Sequence, residues 1–445
     1  MRSSASATKS LRSVGSSPST DRFRRSGHDA RSTIHDSHHD QVSHDGNPVL
    51  GYLTIGTIAA LVTAAMLPLV IRLGYRYEVL AYPDGERRLH DRAVPQVGGI
   101  AMLVGVIAGF MVASRADQFR EVFASSSEPV GVIVGAVVIT VIGFLDDRLG
   151  LSPPAKVAGM VLAGSALYAL GVTLDQVQVP FLGAIQISPD FTALVTVVWL
   201  VGMCNAINLI DGLDGLAAGI VAIASVAFFL YSTRLFDAGS IDGSNVGPLV
   251  AVVAGGVCVG FLPYNFSPAR VFMGDGGALL LGLLLAVSTS VVGGRSVPGI
   301  PIPNQTYFFL APLFIPLLIL VVPIADTARL LVTRTVRRSG FSTADREHIH
   351  YRLVELGHGP RRTVLILWSL TTIASGFVLA PMFSSGRWPL VPLFLLLLAT
   401  IAFALLHPDL RAERRQQRGP STAATATQDA APDDPESSSD APGSA

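Results

Sequence analysis

The sequence predicts an all-α polytopic membrane protein, and three observations carry that class. Half of the 445 residues are hydrophobic. Only 14% are charged, against about 25% in an ordinary soluble domain. The apolar residues also gather in runs close to the roughly 20 residues that a spanning helix needs. A soluble chain of this length would require far more polar surface.

Taken in chain order, the runs place spans at 50–71, 97–114, 129–145, 154–172, 190–207, 213–233, 247–263, 276–293, 307–333, 363–383 and 388–406. About eleven transmembrane helices are therefore expected. Residues 1–49 are rich in Ser, Arg, Asp and His and nearly free of apolar content, which predicts a disordered tail. It does not read as a signal peptide, because no apolar core follows the early charges until residue 49. His35, His38, His39 and Asp40 could bind a metal, but nothing fixes their geometry, so they read as a solvated tail. Residues 50–406 form the expected transmembrane domain, and 407–445, basic and then Ala/Pro/Ser/Asp-rich, a second tail.

Net charge is zero, so bulk charge argues for no partner such as a nucleic acid. Only Lys9 and Lys156 are lysines, against a background of Arg. Cys204 and Cys258 lie in or at the ends of apolar runs and read as small apolar fillers. Orientation follows from Arg and Lys in short loops. The loops holding Arg72, Arg76, Arg87, Arg88 and Arg92, then Arg148 and Lys156, then Arg270, then Arg334 to Arg362 are basic. The opposite loops hold only Arg115, Arg120, Arg234, Arg295 and Arg387. The first set is expected to be cytoplasmic, with the C-terminus. The N-terminus is then outside, against the pull of its own Arg residues. Two spans separate each of His90, Asp146-Asp147, Asp211, Asp275 and His348 from the next, so all five polar clusters share the cytoplasmic face.

The most informative cluster is Asn205-Ala-Ile-Asn208-Leu-Ile-Asp211-Gly-Leu-Asp214. An ionisable group at membrane depth usually faces a site. Gly212 and Gly215 suggest that the helix breaks here, which is tolerated where it lines a cavity. Polar glue between helices is the plainer alternative, but four groups exceed what glue requires. Asp146 and Asp147 end an apolar helix. Adjacent carboxylates repel and are tolerated where a cation or shared proton compensates, and hard divalent cations take carboxylate oxygens. A solvated helix end with Arg148 as counter-ion is the alternative.

Asn265-Phe-Ser-Pro268-Ala-Arg270-Val-Phe-Met-Gly274-Asp275-Gly276-Gly277 joins two spans. Its glycines would let backbone approach a ligand. Asp275 precedes a helix whose N-terminal amides favour anions, so a metal bridging carboxylate and anion is expected, with an N-cap role for Asp275 as the alternative. Ser342-Thr-Ala-Asp345 fits a capping box opening a short helix with His348, His350, Tyr351 and Arg352. Arg87, Arg88 and His90 precede Pro95-Gln96-Val-Gly98-Gly99, and basic residues before a Gly-rich helix start suit phosphate. Together these describe a membrane enzyme with carboxylates for a divalent cation and basic groups for phosphates. That chemistry suits transfer of a phosphate-containing group to a lipid acceptor.

Arg87–Gly99, Asp146-Asp147 with Lys156, Asn205–Asp214, Asn265–Asp275 and Asp345–Arg352, in that order, resemble the polyprenyl-phosphate N-acetylhexosamine-1-phosphate transferases. The Pro-Gln-Val-Gly-Gly and Asp-Arg-Glu-His-Ile-His stretches are similar to the WecA/TagO branch of the MraY superfamily. The resemblance implies transfer of N-acetylglucosamine-1-phosphate from a UDP-N-acetylhexosamine to polyprenyl phosphate. The products would be polyprenyl-diphospho-sugar and UMP, in the first lipid-linked step of cell-envelope polysaccharide synthesis. It implies a Mg2+ (or Mn2+) cofactor and the bacterial cytoplasmic membrane, with the site on the cytoplasmic face and the lipid bilayer as a partner. A homodimer is left open. By resemblance, Asp275 with Asp211 would hold the metal, and Asp146 and Asp147 would act on the prenyl phosphate. Asn205, Asn208, Asp211 and Asp214 would hold the nucleotide and Asn265 the diphosphate region. Arg88, His90, Lys156 and Arg352 would bind substrate, and His348 and His350 would contact sugar or phosphate. Tyr351 and Ala278 depart from residues frequent in the branch, and neither removes a carboxylate. The alternatives are the phospho-MurNAc-pentapeptide transferase reaction or, in another class, a transporter or flippase.

Overall fold

The computed structural model describes residues 48–81, 93–179, 183–239, 241–293, 359–383 and 390–406, all within one compact unit, Pro48–Ala445. The expected span 307–333, the Arg87–His90 segment and the His348–Arg352 loop lie outside the described residues.

Eleven α-helices are described: α1 (Pro48–Arg76), α2 (Gly98–Ala113), α3 (Arg120–Ser125), α4 (Glu128–Leu149), α5 (Pro153–Ala169), α6 (Pro189–Ile210), α7 (Leu216–Asp237), α8 (Gly247–Asn265), α9 (Gly274–Gly293), α10 (Pro360–Phe383) and α11 (Leu390–Leu406). Ten of the expected spans fall on these helices. Six of the helices are long and apolar enough to cross a membrane, or seven if α2 and the Asp117–Ser125 segment, bent by 94°, make one span. The molecule is a polytopic helical membrane protein.

It is not purely helical. β1 (Leu80–Ala81) pairs antiparallel with β2 (Val94–Pro95), and β3 (Gln176–Val179) with β4 (Gly183–Gln186). Gln176-Val-Gln-Val179 alternates with the period of a strand, a signal that the search for apolar runs passes over.

Local sequence sets the helix ends. Pro lies in the first turn of α4, α5, α6 and α8, where its missing N–H costs nothing. α4 stops at Gly150, which adopts φ 62° and donates its N–H to Asp146 O at 2.9 Å, a left-handed helix cap. Hydroxyls inside the apolar helices bond back to their own carbonyls, as Thr63 does to Ala59 O and Ser288 to Leu284 O.

α9 is the central helix. Its residues Ala278–Val287 are at most 1% exposed among the apolar positions, and it packs against α4, α6, α8 and α2. α1 and α8 touch backbone to backbone: a Cβ on Gly256 or Gly260 would run into Gly56 O or Ala60 O. Trp199 Nε1 of α6 donates to Thr289 Oγ1 of α9 at 2.8 Å. Such small-residue contacts and interhelical hydrogen bonds are what hold helices together where lipid removes the hydrophobic drive.

Candidate active site

Four helix ends meet at one end of α9. α4 brings Asp146 and Asp147, α5 brings Lys156, α6 brings Asn208, and α9 brings Asp275. Lys156 Nζ lies 2.8 Å from Asp146 Oδ2 and also bonds Asp275 Oδ2. Asn208 Nδ2 donates to Asp275 Oδ1 at 2.8 Å, and its Oδ1 lies 3.4 Å from Lys156 Nζ. Asp146 Oδ1 accepts from Leu151 N at 2.8 Å. The side chains of Lys156, Asp146 and Asp275 are 16%, 13% and 28% exposed, so the cluster is shielded yet reachable, most openly at Asp275.

The counter-ion of the carboxylate pair is therefore Lys156 and not Arg148, whose Nη1 donates to Tyr77 O at 3.1 Å. Asp275 is not ahead of its helix but within its first turn. The acceptor at that helix start is Asp147, whose Oδ1 accepts from Asp275 N at 3.1 Å.

The helix break at Gly212 is real. α6 ends at Ile210, Asp211 takes ψ 54°, and Gly215 adopts φ 77° before α7 begins. The break turns Asp214 away from the axis of α6, and its Oδ2 accepts from Ala269 N at 3.0 Å. Asn265 works beside it: its Oδ1 accepts from Gly215 N at 2.9 Å and its Nδ2 donates to Val271 O at 3.0 Å. Both ends of the Asn265 side chain are thus engaged by backbone, and the 211–215 break is stitched to the 265–271 loop. Asn205 donates to Val201 O at 2.8 Å and lies 3.3 Å from Met160 Sδ, apart from the ion cluster. Loss of water around the Asp211 carboxyl, then the charges of Asp275, Asp147 and Asp214, push its pKa up to about 8.

Two expectations about glycines and helix starts need correction. Gly98 N and Gly99 N donate to Phe272 O and Met273 O, each at 2.9 Å. Those amides are spent on protein and cannot cradle a phosphate; the Pro95–Gly99 stretch instead pairs with the segment leading into Asp275. Gly276 and Gly277 do not make room for a ligand either. A Cβ on Gly277 would press on Gly99 of α2, and one on Gly276 would lie 3.1 Å from Thr140 O of α4. They let three helices converge. Gly143, Thr140 and Met160 line this end of the bundle and carried no sequence signal, being ordinary members of apolar runs. From α10, Arg361 Nε donates to Ser267 O at 2.8 Å.

A divalent cation fits this donor set. Among the described residues no three or more His, Cys, Asp or Glu side chains form a closed metal cage. Mg2+ does not require one, because it takes one or two carboxylates plus substrate phosphates and keeps several waters. The mutual repulsion felt by Asp211 and its neighbours is the excess negative charge that such an ion would relieve.

The profile of glycosyl transferase family 4 matches residues 129–293, the stretch from α4 to α9 that carries Asp146, Asp147, Lys156, Asn208 and Asp275. A decaprenyl-phosphate N-acetylglucosaminephosphotransferase of Mycobacterium leprae is 35% identical over 328 residues, 73% of this chain and 82% of that protein. A Bacillus subtilis protein named "Probable undecaprenyl-phosphate N-acetylglucosaminyl 1-phosphate transferase" is 32% identical over 329 residues, 73% of this chain and 83% of its own length. A phospho-N-acetylmuramoyl-pentapeptide-transferase of Mycobacterium avium is 29% identical over 365 residues, 75% and 95% of the two chains. At this identity and coverage, the chain belongs to glycosyl transferase family 4, with the relatives named as polyprenyl-phosphate N-acetylglucosaminephosphotransferases.

Proposed function

We propose that the protein transfers N-acetylglucosamine-1-phosphate from UDP-N-acetylglucosamine to polyprenyl phosphate, releasing UMP. The observation that carries this reading is Lys156, which joins Asp146 and Asp275 beside Asn208. Three motifs far apart in sequence become one charged mouth suited to phosphates. The relatives' names supply the sugar and the lipid, and the pentapeptide transferases, at lower identity, are the second reading.

In the reaction, an oxygen of the lipid phosphate attacks the phosphorus that carries the sugar. The bond from that phosphorus to the UMP oxygen breaks, and UMP leaves. The Asp146 carboxylate takes the proton of the lipid phosphate. Lys156 is drawn from the carboxylates toward the phosphates as their charge arrives, and Asn208 keeps Asp275 oriented. Asp275 with Asp211 would hold Mg2+ or Mn2+, which when bound supplies charge neutralisation across the diphosphate. Asn205, Asp211 and Asp214 lie on the nucleotide side, with Asn265 bracing the loop beside them. Arg88, His90, His348, His350 and Arg352, outside the described residues, belong to the same face in this reading and contact sugar or phosphate.

The fuller topology in this reading has eleven spans, an outside N-terminus, a cytoplasmic C-terminus and a cytoplasmic active site in the bacterial inner membrane. The basic loops around Arg72, Arg148 and Arg270 support it.

Membranes containing the protein should release UMP from UDP-N-acetylglucosamine only with polyprenyl phosphate and Mg2+ both present. Asp275→Asn should lower that rate on the order of 100-fold. Undiminished turnover in this variant would remove Asp275 from the metal site. Faster turnover of UDP-MurNAc-pentapeptide would favour the second reading.

A further inference from the structure

We propose that Asp147 is a positioning residue. Its carboxylate is the N-cap of α9, supplied from α4, and it sets where Asp275 sits. The role of Asp275 rests on the transferase reading above; the cap itself does not.

The first N–H groups of a helix have no partner within it. α9 opens after Met273, whose thioether is only a weak acceptor. Asp147 takes that place from another helix: Oδ1 accepts from Asp275 N at 3.1 Å, and Oδ2 lies 3.5 Å from Gly276 N. Three further observations show that this contact is built by packing. Gly274 adopts φ 66°, and a Cβ there would collide with Asp147 Oδ2. Gly143, one turn earlier on α4, is pressed so closely on Gly276 N that a Cβ would not fit. Thr140 O, a turn further back, would lie 3.1 Å from a Cβ on Gly276. α4 is thus seated on the start of α9 along two turns, and Asp147 has little room to swing.

The consequence is a division of labour between adjacent carboxylates. The open amides of a helix N-terminus seek an acceptor, and the Asp147 carboxyl group supplies it. Its oxygens face α9 amides, while Asp146 faces Lys156. Asp147 holds the backbone N–H of the same residue whose side chain meets Lys156 and Asn208. Small displacements of such a group are costly, about 100-fold for 1 Å.

Asn caps helices about as well as Asp, whereas Ala does not cap, so Asp147→Asn keeps the cap and Asp147→Ala removes it. Turnover of Asp147→Ala should fall at least about tenfold below that of Asp147→Asn. The Mg2+ concentration for half-maximal activity should rise about tenfold in Asp147→Ala alone, as for lost support of a metal ligand. Gly274→Ala should match Asp147→Ala, and the double variant should add little, because both break one contact. Amide hydrogen exchange across residues 272–278 reads the cap without any activity: it should quicken in Asp147→Ala and not in Asp147→Asn. Equal exchange in these two variants, or equal turnover, overturns the proposal. If the wild type released no UMP, the transferase reading would fail while the exchange comparison still decided the cap.

Discussion

Lys156 shows how much one residue can reveal once its neighbours are known. In sequence it stands out because nearly every other cation is Arg and because it follows the Asp146-Asp147 pair. In the structure its ammonium joins Asp146 and Asp275 and approaches Asn208. Breaking a buried pair by removing one partner costs about 3–5 kcal/mol; partial exposure here places Lys156→Met at or below the low end. That variant should melt at a lower temperature and release UMP roughly 100-fold more slowly. A melting curve and rate equal to wild type would show that Lys156 does not hold the cluster. Asp146 and Asp147 were legible as a pair, but their separate partners were not. Neighbouring residues on a helix point about 100° apart, and which helix each one meets is settled only by packing.

The elements follow the sequence closely where apolar length decides them. Ten expected spans coincide with helices, because a run of about twenty apolar residues has few other ways to satisfy its backbone in lipid. The break between α6 and α7 was signalled by Gly212 and Gly215, whose freedom permits the turn. The purpose of Gly276 and Gly277 was not signalled. Glycine beside an aspartate reads equally as a ligand loop or as a helix contact, and here Gly99, Gly143 and Thr140 fill the space. Gly276→Val should therefore force α4 from α9 and cost about 1–3 kcal/mol. Gly202→Ala on α6, where an added Cβ meets nothing within 4 Å, should be neutral or stabilising by up to about 1 kcal/mol. Thermal denaturation of the two variants in one detergent compares them; an equal shift would contradict the close packing.

Among the described residues, the polar ends of α4, α5, α6 and α9 come together at one end of the bundle; His90 and His348, the other two clusters expected on that face, lie outside them. Sidedness has its own test. Cys204 and Cys258 are both buried, so new cysteines can be read against a quiet background. In intact cells, Arg120→Cys should react with a membrane-impermeant maleimide, and Arg270→Cys should react only after permeabilisation. The reverse pattern would invert the topology. The membrane class, most of the helix positions, the family resemblance and the polar motifs of the site were legible in the linear chain alone. Each rests on composition, on apolar length or on short local patterns, which a linear string records. That Lys156 joins two carboxylates 10 and 119 positions away, that Asn265 and Asp214 stitch two loops, and that Asp147 caps a helix not its own emerge only from the packed fold. Those partners are chosen by how helices pack side by side, and their separation along the chain carries no trace of that choice.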